Sequence, residues 1–422
     1  MKLQRRTENP SMKLIVFCVA IYVASYLGRK SFDSSINEIM AFYGQEKSTV
    51  GLVGSFFFIA YAAGQVIHGL MCKYYNPKFI IGLALFVTSL MNLLIGITPV
   101  WAFKYIKYIW LINGLAHAVF WSLIILVMST VVAKKYKPRV MVALLIPVPF
   151  GTFLTYVISA LMSYLNNFRY TFYLSAGLLF ILGVIWAISS KSLFEKCRLQ
   201  RIQLNEEDLV ENKIEETSQP KPKNAIPKSF IMMFAVLAVV AVINNLVKDG
   251  INTWTPTLLK EKYHLENWFS VLLTLFIPMF AMGGSFIALF VYKKLKNYSL
   301  VCGVLYSLAS IIFVILLLCI NLNTWLITLV SFILVVLLMS GINNVVTFIF
   351  PMENGDKVNA GMLAGFIDGF CYSGSAIASF ALGKIAESFG GWDVVMYFLL
   401  ALCVFASVIC FLSMFIRKSA KN

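Results

Sequence analysis

Charge is scarce in this sequence. Only 13% of its 422 residues are Asp, Glu, Lys or Arg, about half of what a soluble globular domain carries, so a fold exposed to water on all sides is excluded. Acid is scarcer than base: 19 Asp and Glu stand beside 35 Lys and Arg, a formal net charge of +16. Histidine occurs three times, at 68, 117 and 264, too far apart to form a metal motif. The eight cysteines include no CxxC pair and fall in apolar runs or on one side of them, so they are expected to pack as small apolar groups without disulfides or metal. No GxSxG, HExxH or P-loop is present, which argues against an enzyme and leaves no cofactor to expect. The basic excess does not imply nucleic acid as a partner, because Lys and Arg lie between apolar runs and not on one folded face.

What the chain has is apolar length. Hydrophobic residues make up 60% of it, with 35 Phe, and uncharged runs long enough to cross a bilayer recur throughout. Twelve spans are expected: Lys13–Leu27, Thr49–Leu70, Phe79–Trp101, Tyr108–Ala133, Met141–Tyr164, Thr171–Ser189, Phe230–Val247, Trp268–Val291, Tyr298–Ile320, Trp325–Pro351, Asn359–Leu382 and Val394–Ile416. The first ends in Arg29-Lys30 without a small-residue cleavage site, so it is expected to stay as a span and not to be removed as a secretory signal. An even number puts both termini on one side. Most Lys and Arg fall on that side, including Lys134, Lys135, Lys137 and Arg139 in one loop and Lys293, Lys294 and Lys296 in another. The opposite side holds fewer, among them Lys30, Lys47, Lys104, Arg169, Lys260 and Lys384, so both termini are expected in the cytoplasm of a cell whose inner or other membrane the chain spans. The polar segment 191–228, rich in mixed charge, Ser, Gln and Pro, reads as a cytoplasmic linker between a six-helix bundle at 1–190 and another at 229–422. Transporters built from two such repeats bind substrate between the halves near mid-membrane.

Two cations stand out within this pattern. Span one runs into YLGRKSF and span seven into NLVKDGI, so corresponding helices of the two halves carry Arg29 and Lys248. A cation at mid-bilayer costs about 2.5–3.5 kcal/mol on insertion scales, so one that lies there faces a cavity and a partner. Two facing one cavity repel each other, which an anionic ligand relieves; the competing reading lets both snorkel to the far interface. Equal depth in the two halves favours the site. Asp33, four residues after Arg29, shares its helical face and either bridges to it or is a solvated loop charge. Asp249 is expected to point elsewhere. Gln65 and His117 lie mid-span, and His117 either takes a coupling proton, bonds a phosphoryl oxygen or packs structurally. Asp368 in span eleven needs a proton or a partner: a bridge to Lys248, a substrate hydroxyl, or a coupling proton. Asn113, Asn344 and Tyr372 are candidate supporting residues, with Asn side chains more often bonding a neighbouring helix than a ligand. The stripe Gly361-x3-Gly365-x3-Gly369 is expected to let helices pack closely.

The segments YLGRKSFDSSINEIMAFYG, AYAAGQVIHG, VKDGINTWTPTLLKEKY, NAGMLAGFIDGFCYSG and FGGWD, spread from Leu14 to Trp392, resemble the organophosphate:phosphate antiporter family of the major facilitator superfamily. That family includes glycerol-3-phosphate and hexose-6-phosphate transporters and related sugar-phosphate sensors. The resemblance implies an all-α membrane fold of twelve helices in two pseudo-symmetric six-helix bundles, a monomer working by alternating access. It also implies two cations gripping a substrate phosphate from either side, with inorganic phosphate or protons as the coupling species. Arg29 stands at the first cation position; at the second, where the family usually has arginine, this chain has Lys248, which keeps charge but loses the bidentate fork. Gln65 falls where the family's transporters carry lysine, VPFG at 148–151 offers no histidine, and Lys73-Tyr74 replaces the family's acidic and basic pair. Asp368 is not typical of the family. An organic phosphate is therefore the expected substrate, with another organic anion or polar solute, or a sensor that binds without turnover, as the alternatives.

Overall fold

A computed structural model describes residues 9–71, 74–144, 146–204, 228–319, 322, 324–354 and 360–419. Cys72, Lys73, Ile320, Asn359 and most of the expected linker lie outside them. The described chain is helical throughout, because an uncharged run in hydrocarbon has no water for its backbone groups and a helix satisfies them within one segment. The N-terminal half comprises α1 (Pro10–Ser34), a short α2 (Ile36–Tyr43), α3 (Lys47–Met71), α4 (Pro77–Ile97), α5 (Ile106–Thr130), α6 (Pro147–Tyr164) and α7 (Arg169–Gln203). The C-terminal half comprises α8 (Lys228–Tyr263), α9 (Asn267–Thr274), α10 (Phe276–Ala281), α11 (Gly283–Leu295), α12 (Tyr298–Leu318), α13 (Trp325–Asn344), α14 (Ala360–Ser388) and α15 (Trp392–Ser419). Side-chain caps fix several starts: Asn9 accepts from the Met12 amide with Pro10 at the first helical position, and Asn297 accepts from Leu300.

Ten helical stretches among the described residues are long and apolar enough to cross a membrane. The fifth and eleventh expected spans are helices too, α6 and α14, but α6 is interrupted by Thr152, Thr155 and Ser159 and α14 by Asp368, Ser373, Ser375 and Ser379. These more polar helices stand where the two halves meet. Three boundaries also differ from the hydropathy reading. α1 runs past Leu27 to Ser34, so Lys30, expected in a loop, is buried within the helix. α8 runs past Val247 to Tyr263, with Pro256 inside it. α7 runs past residue 190 to Gln203. In α1 and α8 several of the charged residues past the apolar run are held inside the protein, Lys30 with Asp33 and Asp249 with Ser375 and Asn245, so the helix does not stop where the apolar run does.

The halves touch at the end where α1 finishes and α3 begins. There Ser55 Oγ donates to the Ala376 carbonyl at 2.6 Å and Ser379 Oγ to the Gly51 carbonyl at 2.8 Å, joining α3 to α14. Gly51 is required at this crossing, since a Cβ on it would lie 2.1 Å from the Ser379 carbonyl oxygen. Asn267 at the start of α9 receives from Asn37 and donates to Glu38 and to Ser163, at 2.6, 2.6 and 2.9 Å. Lys47 pairs with Glu261 at 3.0 Å. Tyr156, Ala160, Val271 and Leu275 form an apolar seal between α6 and α9. These hydrogen bonds and the ion pair between the halves lie at this latched end or at mid-depth. The Gly365–Gly369 part of the expected stripe is not tightly packed: a Cβ on Gly365 would meet nothing within 4 Å.

Candidate functional site

Arg29 occupies the interface between the halves. Its side chain is 8% exposed and its guanidinium carbon lies 4.4 Å from the ring centre of Tyr61, 5.2 Å from Tyr372, 5.5 Å from Tyr26, 5.7 Å from Phe57 and 6.0 Å from Phe58. Tyr61 and Tyr372, from opposite halves, meet edge to face at 4.4 Å. These rings offset part of the cost of removing a cation from water, since an aromatic face attracts a guanidinium within about 6 Å. They do not satisfy its N–H groups. Nε is buried without a hydrogen-bond partner, and no acceptor among the described residues bonds the rest of the fork. A guanidinium fork in this state can take two oxygens from one planar or tetrahedral anion.

Asp33 does not bridge to Arg29. Its carboxylate takes Lys30 at 2.7 Å, both residues being at most 8% exposed, so the i,i+3 pair neutralises itself and leaves Arg29 to the rings. Asp249, expected to point away, instead reaches the cluster: it lies within electrostatic reach of Lys248, Lys30 and Arg29, and Oδ2 accepts from Ser375 Oγ at 2.5 Å and Asn245 Nδ2 at 3.5 Å. Lys248 and Asp368 are both partly exposed and interact electrostatically, yet they form no ion pair. Asp368 stands one turn from Tyr372 and two from Ser375, on the face of α14 that meets the other half. Gln65 stands one turn from Tyr61 on α3 and is 5% exposed.

His117 is not presented to a ligand. Nδ1 lies 2.9 Å from the Asn113 carbonyl and Nε2 2.9 Å from the Ser25 carbonyl, so the ring is enclosed by backbone on both sides and a neutral ring donates its single N–H to one of the two. Asn113 Nδ2 and Asn92 Nδ2 donate to the Gly28 carbonyl at 3.3 and 3.1 Å. Together these groups hold the α1 turn that carries Arg29. Asn344 ends α13 just before a π-helical turn at Val345–Ile349; its Oδ1 is buried without a partner, and nothing ties it to Arg29. A separate cavity of about 820 Å³ at the latched end is lined by Asn37, Glu38, Ser163 and Asn267, which already bond one another.

The structure therefore joins Arg29, Lys248, Asp368 and Tyr372 and adds Tyr26, Tyr61, Phe57, Phe58 and Asp249, which the sequence reading left out. Tyr26 was findable, being one turn before Arg29 on the same helix. The other rings come from distant segments and carry no local signal.

Comparison with known proteins gives two kinds of likeness. The chain is 31% identical over 94 residues to the membrane sensor protein UhpC of Escherichia coli K12, a match that covers 22% of this chain and only 21% of that protein. It is 22% identical over 426 residues to a probable hexose phosphate transport protein of Chlamydia muridarum, covering 93% of this chain and 88% of that one. Among solved structures it resembles a bacterial homologue of the human lysosomal transporter Spinster, with a TM-score of 0.73 at 12% identity over 96% of this chain and 97% of that one. The xylose transporter XylE of E. coli superposes with a TM-score of 0.69 at 11% identity over 95% and 97%. These structural likenesses establish the fold. The family model of the Major Facilitator Superfamily matches residues 18–379, across both halves and the Arg29 site between them, and the chain belongs to that superfamily as a multi-pass membrane protein.

Proposed function

We propose that this transporter carries an organic phosphate of the sugar-phosphate or glycerol-phosphate type, in exchange for inorganic phosphate, by alternating access between two six-helix bundles. The observation that carries the reading is Arg29, nine-tenths buried with its fork unbonded. A buried cation left so costs several kcal/mol unless an anion completes it. Lys248 in the corresponding helix of the other half supplies the second charge. The resemblance to hexose phosphate transport proteins along nearly the whole chain supports a phosphate ester over other anions. With both termini in the cytoplasm, the latched end faces outward and substrate reaches Arg29 from the cytoplasmic side in this conformation. Segment 191–228 then links the bundles on that side, and one copy of the chain suffices.

The test is uptake of labelled glucose 6-phosphate and glycerol 3-phosphate into proteoliposomes preloaded with inorganic phosphate. Counterflow is expected for at least one ester, lost about 100-fold or more in Arg29→Gln and in Lys248→Gln, because each removes an interaction with the charged group. Unchanged uptake in both variants, or binding with no flux in the native protein, overturns the proposal.

A further inference from the structure

The charges around Arg29 are not those of a simple anion trap. Three cations, Arg29, Lys30 and Lys248, are met by three carboxylates, Asp33, Asp249 and Asp368. Lys30 and Asp33 close on each other at 2.7 Å, and Asp249 is held by Ser375 and Asn245 while offsetting one cation. What remains open is the Arg29 fork, the Lys248 ammonium and the Asp368 carboxylate. Among the described residues none of these three ends has a hydrogen-bond or ion-pair partner, although Lys248 and Asp368 attract each other. With Asp368 ionised, the empty site is thus close to neutral. A phosphate that took both cations would leave Asp368 as an unmatched negative charge beside it, and a buried charge is kept only where it is paired.

Resting on the phosphate reading above, we propose that the preferred substrate carries a protonated amine as well as its phosphate, with Asp368 as the residue that selects the amine. Its placement fits. Asp368 precedes Tyr372 by four residues on α14, about 6 Å along the helix, and Tyr372 touches Arg29 at 5.2 Å. The C-terminal part of α14 is at the latched end, so Asp368 stands on the open side of Arg29. The phosphate goes in first, to Arg29 and Lys248, and the amine sits behind it against Asp368. An ammonium brings that carboxylate a full opposite charge together with its hydrogen bond, where a sugar hydroxyl offers the hydrogen bond alone. It also cancels one of the roughly two negative charges that the phosphate brings.

Matched pairs test this in the same phosphate-loaded proteoliposomes. Glucosamine 6-phosphate is compared with glucose 6-phosphate, and phosphoethanolamine with glycerol 3-phosphate, as inhibitors of counterflow. The aminated member of at least one pair is expected to inhibit at roughly tenfold lower concentration, and Asp368→Asn is expected to bring that ratio to near one. Equal potency within both pairs in the native protein overturns the proposal while leaving phosphate transport intact, and needs no variant. A ratio that survives in Asp368→Asn overturns the role of Asp368. A native protein that is inhibited by none of the four overturns this proposal together with the reading beneath it.

Discussion

At the scale of single residues, Arg29 shows how a charge that looks misplaced is accommodated. Hydropathy ends the first span at Leu27 because Arg29, Lys30 and Asp33 look like loop residues, yet all three are buried in α1. Lys30 and Asp33 find each other, and Arg29 finds rings from α3 and α14. The sequence could show the cation and offer Tyr372 as a supporting residue but not the rest of the cage, since Tyr61 is one among 19 tyrosines with nothing local to mark it. The same limit applied to His117, whose bonds to Ser25 and Asn113 are invisible until α5 is laid beside α1. Two substitutions separate the roles. His117→Ala removes the one hydrogen bond a neutral ring can donate to these carbonyls and leaves a cavity between α1 and α5, and is expected to cost about 1–3 kcal/mol of stability, read as a lower unfolding midpoint in detergent, with the ligand-induced rise in midpoint retained. Arg29→Lys keeps the charge but loses the fork and the flat stacking surface, so affinity for a phosphate ester should fall about tenfold or more while the unliganded midpoint changes little. If the two variants exchanged these signatures, the assignment of Arg29 to ligand and His117 to scaffold would be wrong.

At the scale of elements, the broad pattern of spans was legible because long apolar runs separated by Lys-rich loops admit few alternatives. Helix ends and helix contacts were less so. The glycines that matter for approach are not the regular stripe at the start of α14 but Gly51 on α3, whose partner Ser379 lies 328 residues away; spacing within one helix cannot reveal which neighbour comes close. Gly51→Leu places a side chain where a carbonyl oxygen sits 2.1 Å from the added Cβ, so the latched end should no longer close. The expected result is a strong loss of transport with increased labelling of a cysteine at position 55 by a membrane-impermeant maleimide from that side. Labelling as low as in the parent would show that α3 and α14 part by some other route. Asn267→Ala removes the bonds to Asn37, Glu38 and Ser163, each worth roughly 1 kcal/mol net, and is expected to raise the same labelling to a lesser degree.

At the scale of the whole molecule, the +16 balance reads as a map of sides and not as a nucleic-acid signal. Basic clusters such as Lys134–Arg139 stand at the end away from the latch, and a reporter fused at either terminus checks the orientation: green fluorescent protein should fluoresce and alkaline phosphatase should stay inactive at both. Activity of the phosphatase at one terminus would break the even count of spans. The two halves differ in how they meet this task, and one contact between them has a consequence for the transport cycle. Pro256 lies inside α8 and has no N–H, so the carbonyl of Asn252 four residues earlier has no donor in its own helix. The Tyr156 hydroxyl, from α6 in the other half, donates to that carbonyl at 3.1 Å. One of α8's own backbone bonds has been handed across the interface. Under the alternating access proposed above, parting of the halves at the latched end would leave a helix one bond short until water enters, which makes opening and wetting of the passage at that end a single event.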